Sequence, residues 1–272
     1  MIYYSIIILL SISLCCIAQQ DTVSIQHTDT ALFTTTATKQ QTKQKLFRPN
    51  NLKVNLYGLL VNNYSIFYER MIAPKLSVQL GYRYQPYAYL TEIKLVNKLA
   101  TNGTLDPKYF SFKTGNYAFT ADVRLYTGKK HKGAKGIFFS LYGRYTHFDV
   151  DNVEYTYVTD KEEVYDVPLV SNLTGFGGGI LSGIKWIIKK RITIELYTGI
   201  HYLQLKGPLT SNKDLSGLSD QDKSDLKNNV EDIFTFGDKK YLTAAVSDTG
   251  ITGTISGPAI GIRSCLSIGF VF

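Results

Sequence analysis

The chain has 272 residues, enough for one domain or two small ones. Mean hydropathy near zero (−0.07) excludes a polytopic helical membrane protein, a hydrophobic fraction of 44% excludes disorder throughout, and a net charge of +8, scattered along the chain without a recognition motif, excludes a nucleic-acid partner. Low charge, 20 Tyr, 14 Phe and 22 Gly favour strands over helices.

Residues 1–18 read as a secretory signal peptide. An apolar stretch from Ile6 to Leu14 precedes the small residue Ala18. The alternative is a lipoprotein signal acylated at Cys15 or Cys16, although Leu14 and Cys15 occupy the place where a small residue is wanted. Cleavage after Ala18 removes two of the three cysteines and leaves Cys265 without an intramolecular partner. Residues 19–50, rich in Thr, Gln and Lys, read as a flexible periplasmic leader.

From residue 51 to residue 272 the chain alternates apolar and polar residues in short stretches, the signature of half-buried strands. Eight are predicted. Leu52–Leu60 and Asn63–Met71 come first, and the turn at Ala73-Pro74-Lys75 leads to Leu76–Gln85. A long connection, Pro86–Asn116, precedes Tyr117–Tyr126. The basic turn Gly128–Lys135 leads to Gly136–Phe148, and a second long connection covers Asp149–Asn172. Leu173–Ile187 turns at Lys189-Lys190 into Arg191–Leu205. The longest connection, Lys206–Ile255, precedes Ser256–Phe272. Two connections contain helical spacing: Leu95, Val96 and Leu99 before Asn102-Gly103, and Leu226, Val230, Ile233 and Phe234 after a cap at Ser219 or Ser224.

One face of these strands is nearly free of charge; Arg70, at a strand end, is the exception. The other face carries Lys53, Glu69, Arg83, Asp122, Arg124, Arg144, Lys185, Glu195 and Arg263 among Gly, Ser and Thr. A soluble β-sandwich or lipocalin-like barrel explains the alternation. It does not explain three further features. Short and long connections alternate, as they do in transmembrane barrels. Aromatic residues gather at strand ends, with Tyr64, Tyr82, Tyr84, Tyr117, Tyr145, Phe176 and Tyr202 at one rim and Tyr68, Trp186, Phe270 and Phe272 at the other. The chain also ends on Phe, with apolar residues at alternate positions before it. The predicted fold is all-β: an eight-stranded antiparallel up-and-down transmembrane β-barrel with its charged face inside.

These features resemble the small outer-membrane barrels of Gram-negative bacteria, the OmpA/OmpX type. The end of the chain, with Leu266, Ile268, Phe270 and Phe272 at alternate positions, is similar to the assembly signal of those proteins. The segments Lys53–Gly58, Tyr68-Glu69-Arg70 and Pro74–Ser77 with Gly81-Tyr82 also resemble the opening of an uncharacterised family of bacterial outer-membrane barrels. The resemblance implies export to the outer membrane, contact with its lipid and lipopolysaccharide, and handling by the barrel-insertion machinery. It implies no activity.

An eight-stranded interior is just wide enough for side chains, so its charges must pair. Glu69 with Arg83 and Lys185 with Glu195 flank hairpin turns and are expected to face each other; Asp122 is expected to join Arg124 or Arg144. Six basic residues against three acidic ones favour anions if anything passes. The expected role is non-enzymatic: structure, adhesion or surface interaction through the long loops. A narrow pore is the alternative, and a lipid-modifying enzyme using His147 or His201 is a third. His147 with Asp149 has the residue types of a base–orienter pair, but they are neighbours at one strand end and no serine is placed beside either histidine, so His147 and His201 both read as polar rim residues. Gly175–Gly179 lacks the Lys and the spacing of a phosphate loop, and no metal-binding motif occurs, so no cofactor is expected.

Overall fold

The computed structural model describes residues 48–101, 111–127, 134–159 and 161–272. The expected signal peptide and all but the end of the leader lie outside the described residues. The fold is all-β. Eight antiparallel strands form a closed ring: β1 (Asn50–Asn55), β2 (Tyr64–Ala73), β3 (Leu76–Tyr89), β4 (Lys113–Tyr126), β5 (Gly136–Val158), β6 (Val164–Ile188), β7 (Ile192–Ser211) and, after three short strands, β11 (Gly250–Val271). Closure comes from β1 and β11, which pair from Asn51↔Val271 to Asn55↔Ser267; the Phe272 N–H donates to Asn50 O at 3.0 Å. No helix among the described residues is long and apolar enough to cross a membrane.

Local chemistry sets the short turns. Lys189 and Lys190 both take positive φ (47° and 66°) between β6 and β7, matching the twist of a tight hairpin. β1 is shorter than its predicted stretch. The chain leaves the strand at Asn55, forms one helical turn, α1 (Leu56–Leu59), and closes it by donating Val61 N and Asn63 N to Gly58 O. Leu59 and Leu60 break the alternation there, so no single face could take this segment as a strand. α1 packs beside β11 where a longer β1 would have run.

The predicted long connections are more regular than expected. Asp149–Asn172 is mostly strand: β5 and β6 continue as a paired ribbon to a turn around Thr159–Glu163. A bulge between Val150 and Val153 shifts the pairing phase, so the inward positions change from Arg144 and Thr146 to Tyr155 and Tyr157. Lys206–Ile255 likewise holds the end of β7, α3 (Asp220–Asp232), the small pair β8 (Thr235–Phe236) and β9 (Lys239–Lys240), and β10 (Leu242–Ser247), which pairs with the start of β11. Ser219 caps α3 through a capping box with Asp222. In the first connection α2 (Lys94–Thr101) follows a 3-10 turn at Leu90–Glu92; Asn102-Gly103 lies outside the described residues.

Strands β5, β6, β7 and β11 are 20 to 25 residues long, against 10 to 14 in β2 to β4. The ring therefore has one tall side. There Val167, Leu169, Leu209 and Ile251 pack with Leu226 and Val230 of α3 into an apolar core. A smaller cluster of Leu90, Ile93, Val96 and Phe112 faces it. Lower in the ring the distribution inverts. Phe176 (70% exposed) and Leu141 (66%) point outward, whereas Arg124 (0%) and Lys53 (2%) are buried inside.

Candidate functional site

The interior is layered along the ring axis, and strand register decides which side chains share a layer. The end near Asn50 and Phe272 holds an ionic cluster drawn from five strands. Lys53 (β1) donates to Glu69 (β2) at 2.9 Å and to Glu195 (β7) at 2.6 Å. Lys185 (β6) donates to Glu69 and lies 3.8 Å from Glu195, directly across the hairpin as expected. Arg124 (β4) donates to Glu195 at 2.7 Å and to Asp122 at 3.1 Å. The Ser77 and Tyr126 hydroxyls donate to Glu69 at 2.7 and 2.6 Å. Such a cluster holds only as a whole: each charge has lost its water and depends on the others.

One expected pairing, that of Glu69 with Arg83, is corrected, whereas Asp122 joins Arg124, the first of its two expected partners. Glu69 faces Gln79, and Arg83 faces Ser65. The two lie four positions apart along the strands, roughly 13 Å at the rise of a strand. Glu69 stands four residues before Ala73 and Arg83 seven after Leu76, and the register shift between Met71 and Ala73 adds one more position. Arg144, opposite Thr120 and Gly177, does not join Asp122; Asp122 binds Arg124, Gln79 at 2.7 Å and Arg263 at 3.1 Å.

Aromatic rings divide the ionic cluster from the next layer. The Arg124 guanidinium lies 4.7 Å from the Phe138 ring and 5.6 Å from Tyr197. Arg263 lies 5.2 Å from the same Tyr197 ring and 4.6 Å from Tyr142. Beyond them stand Arg83, Arg144 and His201. Arg83 donates to Asn116, but its Nε has no partner, and neither has Arg144 Nε nor His201 Nδ1. His201, expected as a rim residue, is buried inside the ring. A β-carbon on Gly261, its neighbour on β11, would stand 2.7 Å from His201 Nε2, so glycine makes the room for the imidazole.

This basic layer is the floor of a cavity of about 540 Å³. Its walls and roof are mostly apolar, among them Leu203 and Leu205 of β7, Phe148 of β5, and Ile93, Phe112 and Phe234 from the connections. α1 contributes Tyr57 and Gly58.

The outward face carries aromatic rows at both ends. Tyr82, Phe119, Tyr145 and Phe176 are consecutive cross-strand neighbours, with Tyr82 and Phe119 rings 5.0 Å apart. At the other end Tyr68, Leu52, Phe270 and Ile192 form one row, and Leu266, Ile268, Phe270 and Phe272 all point outward. His147 sits at the first rim, 3.2 Å from Asp149 and 3.4 Å from the Thr174 hydroxyl, its ring stacked on Tyr117. Above it the Tyr87 hydroxyl donates to Asp151 at 2.7 Å, which pushes that phenol up to about 12.

Sequence reasoning set Ser77 and Gln79 on the charged face without giving them a role and passed over Tyr126 and Asn116 as members of this interior. All share the inward parity of the charged residues, and that parity was the available signal. The cavity had no such signal, because its lining comes from two parts of the ring and two connections.

The profile of a family described as a protein of unknown function (DUF3575) matches residues 29–213, more than half of the chain. The chain belongs to this family. The matched span runs from before β1 through the end of β7 and contains every member of the ionic cluster; Arg263 and β11 lie beyond it. Comparison with curated proteins returns no match.

Proposed function

We propose that the chain is an eight-stranded up-and-down β-barrel of the Gram-negative outer membrane, with a non-enzymatic, surface-interaction role at its outer end. The observation that carries this reading is the inverted surface. A closed ring places a band of large apolar side chains outside and its charges inside, an arrangement that costs free energy in water and is favoured in lipid. Aromatic rows at both ends of the band fit the two membrane interfaces, and β2 to β4 are long enough to span with about 9–11 residues. The terminal Phe272, paired to Asn50, fits an assembly signal read by the insertion machinery. Outer-membrane lipid and lipopolysaccharide are the surroundings this surface suits.

The ionic cluster argues against the pore. Lys53, Glu69, Arg124, Lys185 and Glu195 fill the interior at 2% exposure or less, leaving no continuous aqueous path at that end. The tall side and its apolar core argue for work at the other end. Two measurements test the reading. The protein should fractionate with outer membranes and resist carbonate extraction, and the refolded protein should give no steady conductance in a planar bilayer. Recovery in the soluble fraction overturns the barrel; stable single-channel steps overturn the closed interior.

A further inference from the structure

We propose that the cavity above the ionic cluster binds an amphiphile: one long acyl chain carrying a single oxyanion head, carboxylate or phosphate. This deepens the reading that the outer end is the working end and rests on it, but it does not depend on which membrane surrounds the ring.

The two ends of the cavity differ in chemistry, and the ligand must match both. Its floor is cationic. Arg144 is 7% exposed, its Nε has no partner, and no carboxylate of the described residues lies within ion-pair distance of it or of Arg83. Asp122, the acidic group on that side of the ionic cluster, is already shared by Arg124 and Arg263. Burying a guanidinium without a counter-charge costs several kcal/mol in typical proteins, so a site that keeps Arg144 buried, with the half-buried Arg83 beside it, is built for an anion. The planar fork of Arg suits the paired oxygens of a carboxylate or phosphate. Walls and roof are the opposite. Leu203, Leu205, Phe148 and Phe112 offer little to a sugar or a peptide backbone, and the exposed apolar surface they present favours a hydrocarbon chain. A volume of about 540 Å³ lies within the roughly 300–1,000 Å³ of small-molecule sites, too small for a lipid with several chains. The contrast with the ionic cluster shows that this sequence can neutralise buried Arg and Lys when the role is structural. At Arg83 and Arg144 it supplies no carboxylate within ion-pair distance; Glu154, which also lines the cavity, is solvent-exposed.

The test is equilibrium binding of radiolabelled palmitate and of hexadecyl phosphate to the purified, folded full chain in amphipol, with hexadecanol as the neutral control. Saturable binding of one molecule per chain is expected for at least one of the two anions, at least about tenfold tighter than for hexadecanol, the worth of one charge-assisted hydrogen bond. Whichever anion binds more tightly identifies the head group. Arg144→Met should weaken the anion by about tenfold or more and leave hexadecanol within about twofold. Leu205→Trp, which fills the apolar part, should weaken all three. Retained β-sheet circular dichroism and heat-modifiable mobility establish that each variant is folded, and Arg83→Met repeats the head-group arm if Arg144→Met does not fold. Equal binding of anion and alcohol, binding unaffected by Leu205→Trp, or no saturable binding at all overturns the proposal. These outcomes leave the barrel reading untouched, because fractionation tests that separately.

Discussion

The two ends of the ring interior use the same residue types in opposite ways. At the end near Asn50 and Phe272, Lys53, Arg124 and Lys185 meet Glu69 and Glu195 with short, shared contacts. Two layers away, Arg83 and Arg144 face an apolar cavity with unpartnered nitrogen atoms. Inward parity placed all of these side chains in the interior; register alone decided which ones found a counter-ion. A charged interior therefore has two physical meanings. Where every charge is matched, it is a wall-to-wall brace; where charge is left over beside apolar surface, it is a site held ready for something else.

The largest effect is expected in the braced end. Glu69→Ala removes one of the two carboxylates that Lys53 and Lys185 share and also strips Ser77 and Tyr126 of their acceptor, so it should cost about 3–5 kcal/mol. Urea unfolding of the micelle-folded protein measures it. Adding Lys185→Ala should recover part of the loss, whereas adding Arg83→Ala should be additive, since that residue lies in another layer. Coupling between Glu69 and Arg83 would erase the distinction between the two layers.

Next comes the core of the tall side. Leu226 is fully buried against the extended strands, and Leu226→Ala should cost about 2–5 kcal/mol locally. Because this core lies apart from the ionic cluster, the variant should open as a unit: protease cleavage near α3 rises while the ring keeps its heat-modifiable mobility. Simultaneous loss of both would show one cooperative body and not two regions.

Much of the ring was legible because period-2 alternation survives wherever one face is apolar and the other polar. Leu76–Gln85 and Tyr117–Tyr126 needed nothing more. The tall side was not legible for two reasons. At Val150–Val153 the bulge reverses the parity, so a correct alternation read through it assigns the wrong face. Beyond that point, Pro168, Asp166 and Glu154 look like loop residues although their backbone is paired. The ionic cluster was legible residue by residue but only in part contact by contact: Lys185 with Glu195 and Asp122 with Arg124 were, and Glu69 with Arg83 was not. Glu69 and Arg83 both belong inside, yet they stand at unequal distances from their turn, and the hairpin irregularity at Met71–Ala73 adds one more position, which no alternation pattern encodes.

A smaller effect is expected at the edge of the tall side. Ser219 accepts from Asp222 N at 3.2 Å at the start of α3. Ser219→Ala should cost about 1 kcal/mol, the usual worth of such a cap, read as faster amide exchange in the first turn of the helix. Unchanged exchange there would mean that burial of Leu226 and Val230 alone holds α3 in place.

The smallest effect is expected at Arg144, and it carries the most information about the contrast. A guanidinium without a carboxylate, its Nε unpartnered, brings its desolvation cost and no compensating ion pair, so replacing it with Met removes a cost and keeps the volume apolar. The unfolding midpoint of Arg144→Met in urea, without added ligand, should therefore stay level or rise. Arg124→Met offers the comparison: its side chain is as deeply buried, but it leaves Glu195 and Asp122 short of a donor, and it should lose several kcal/mol, about as much as Glu69→Ala. The same substitution at two arginines on neighbouring strands, with opposite signs, is what a brace and a site predict. If Arg144→Met also loses more than about 1 kcal/mol, beyond the worth of an ordinary surface contact, Arg144 has a counter-charge inside the folded ring. The two ends would then be one continuous brace.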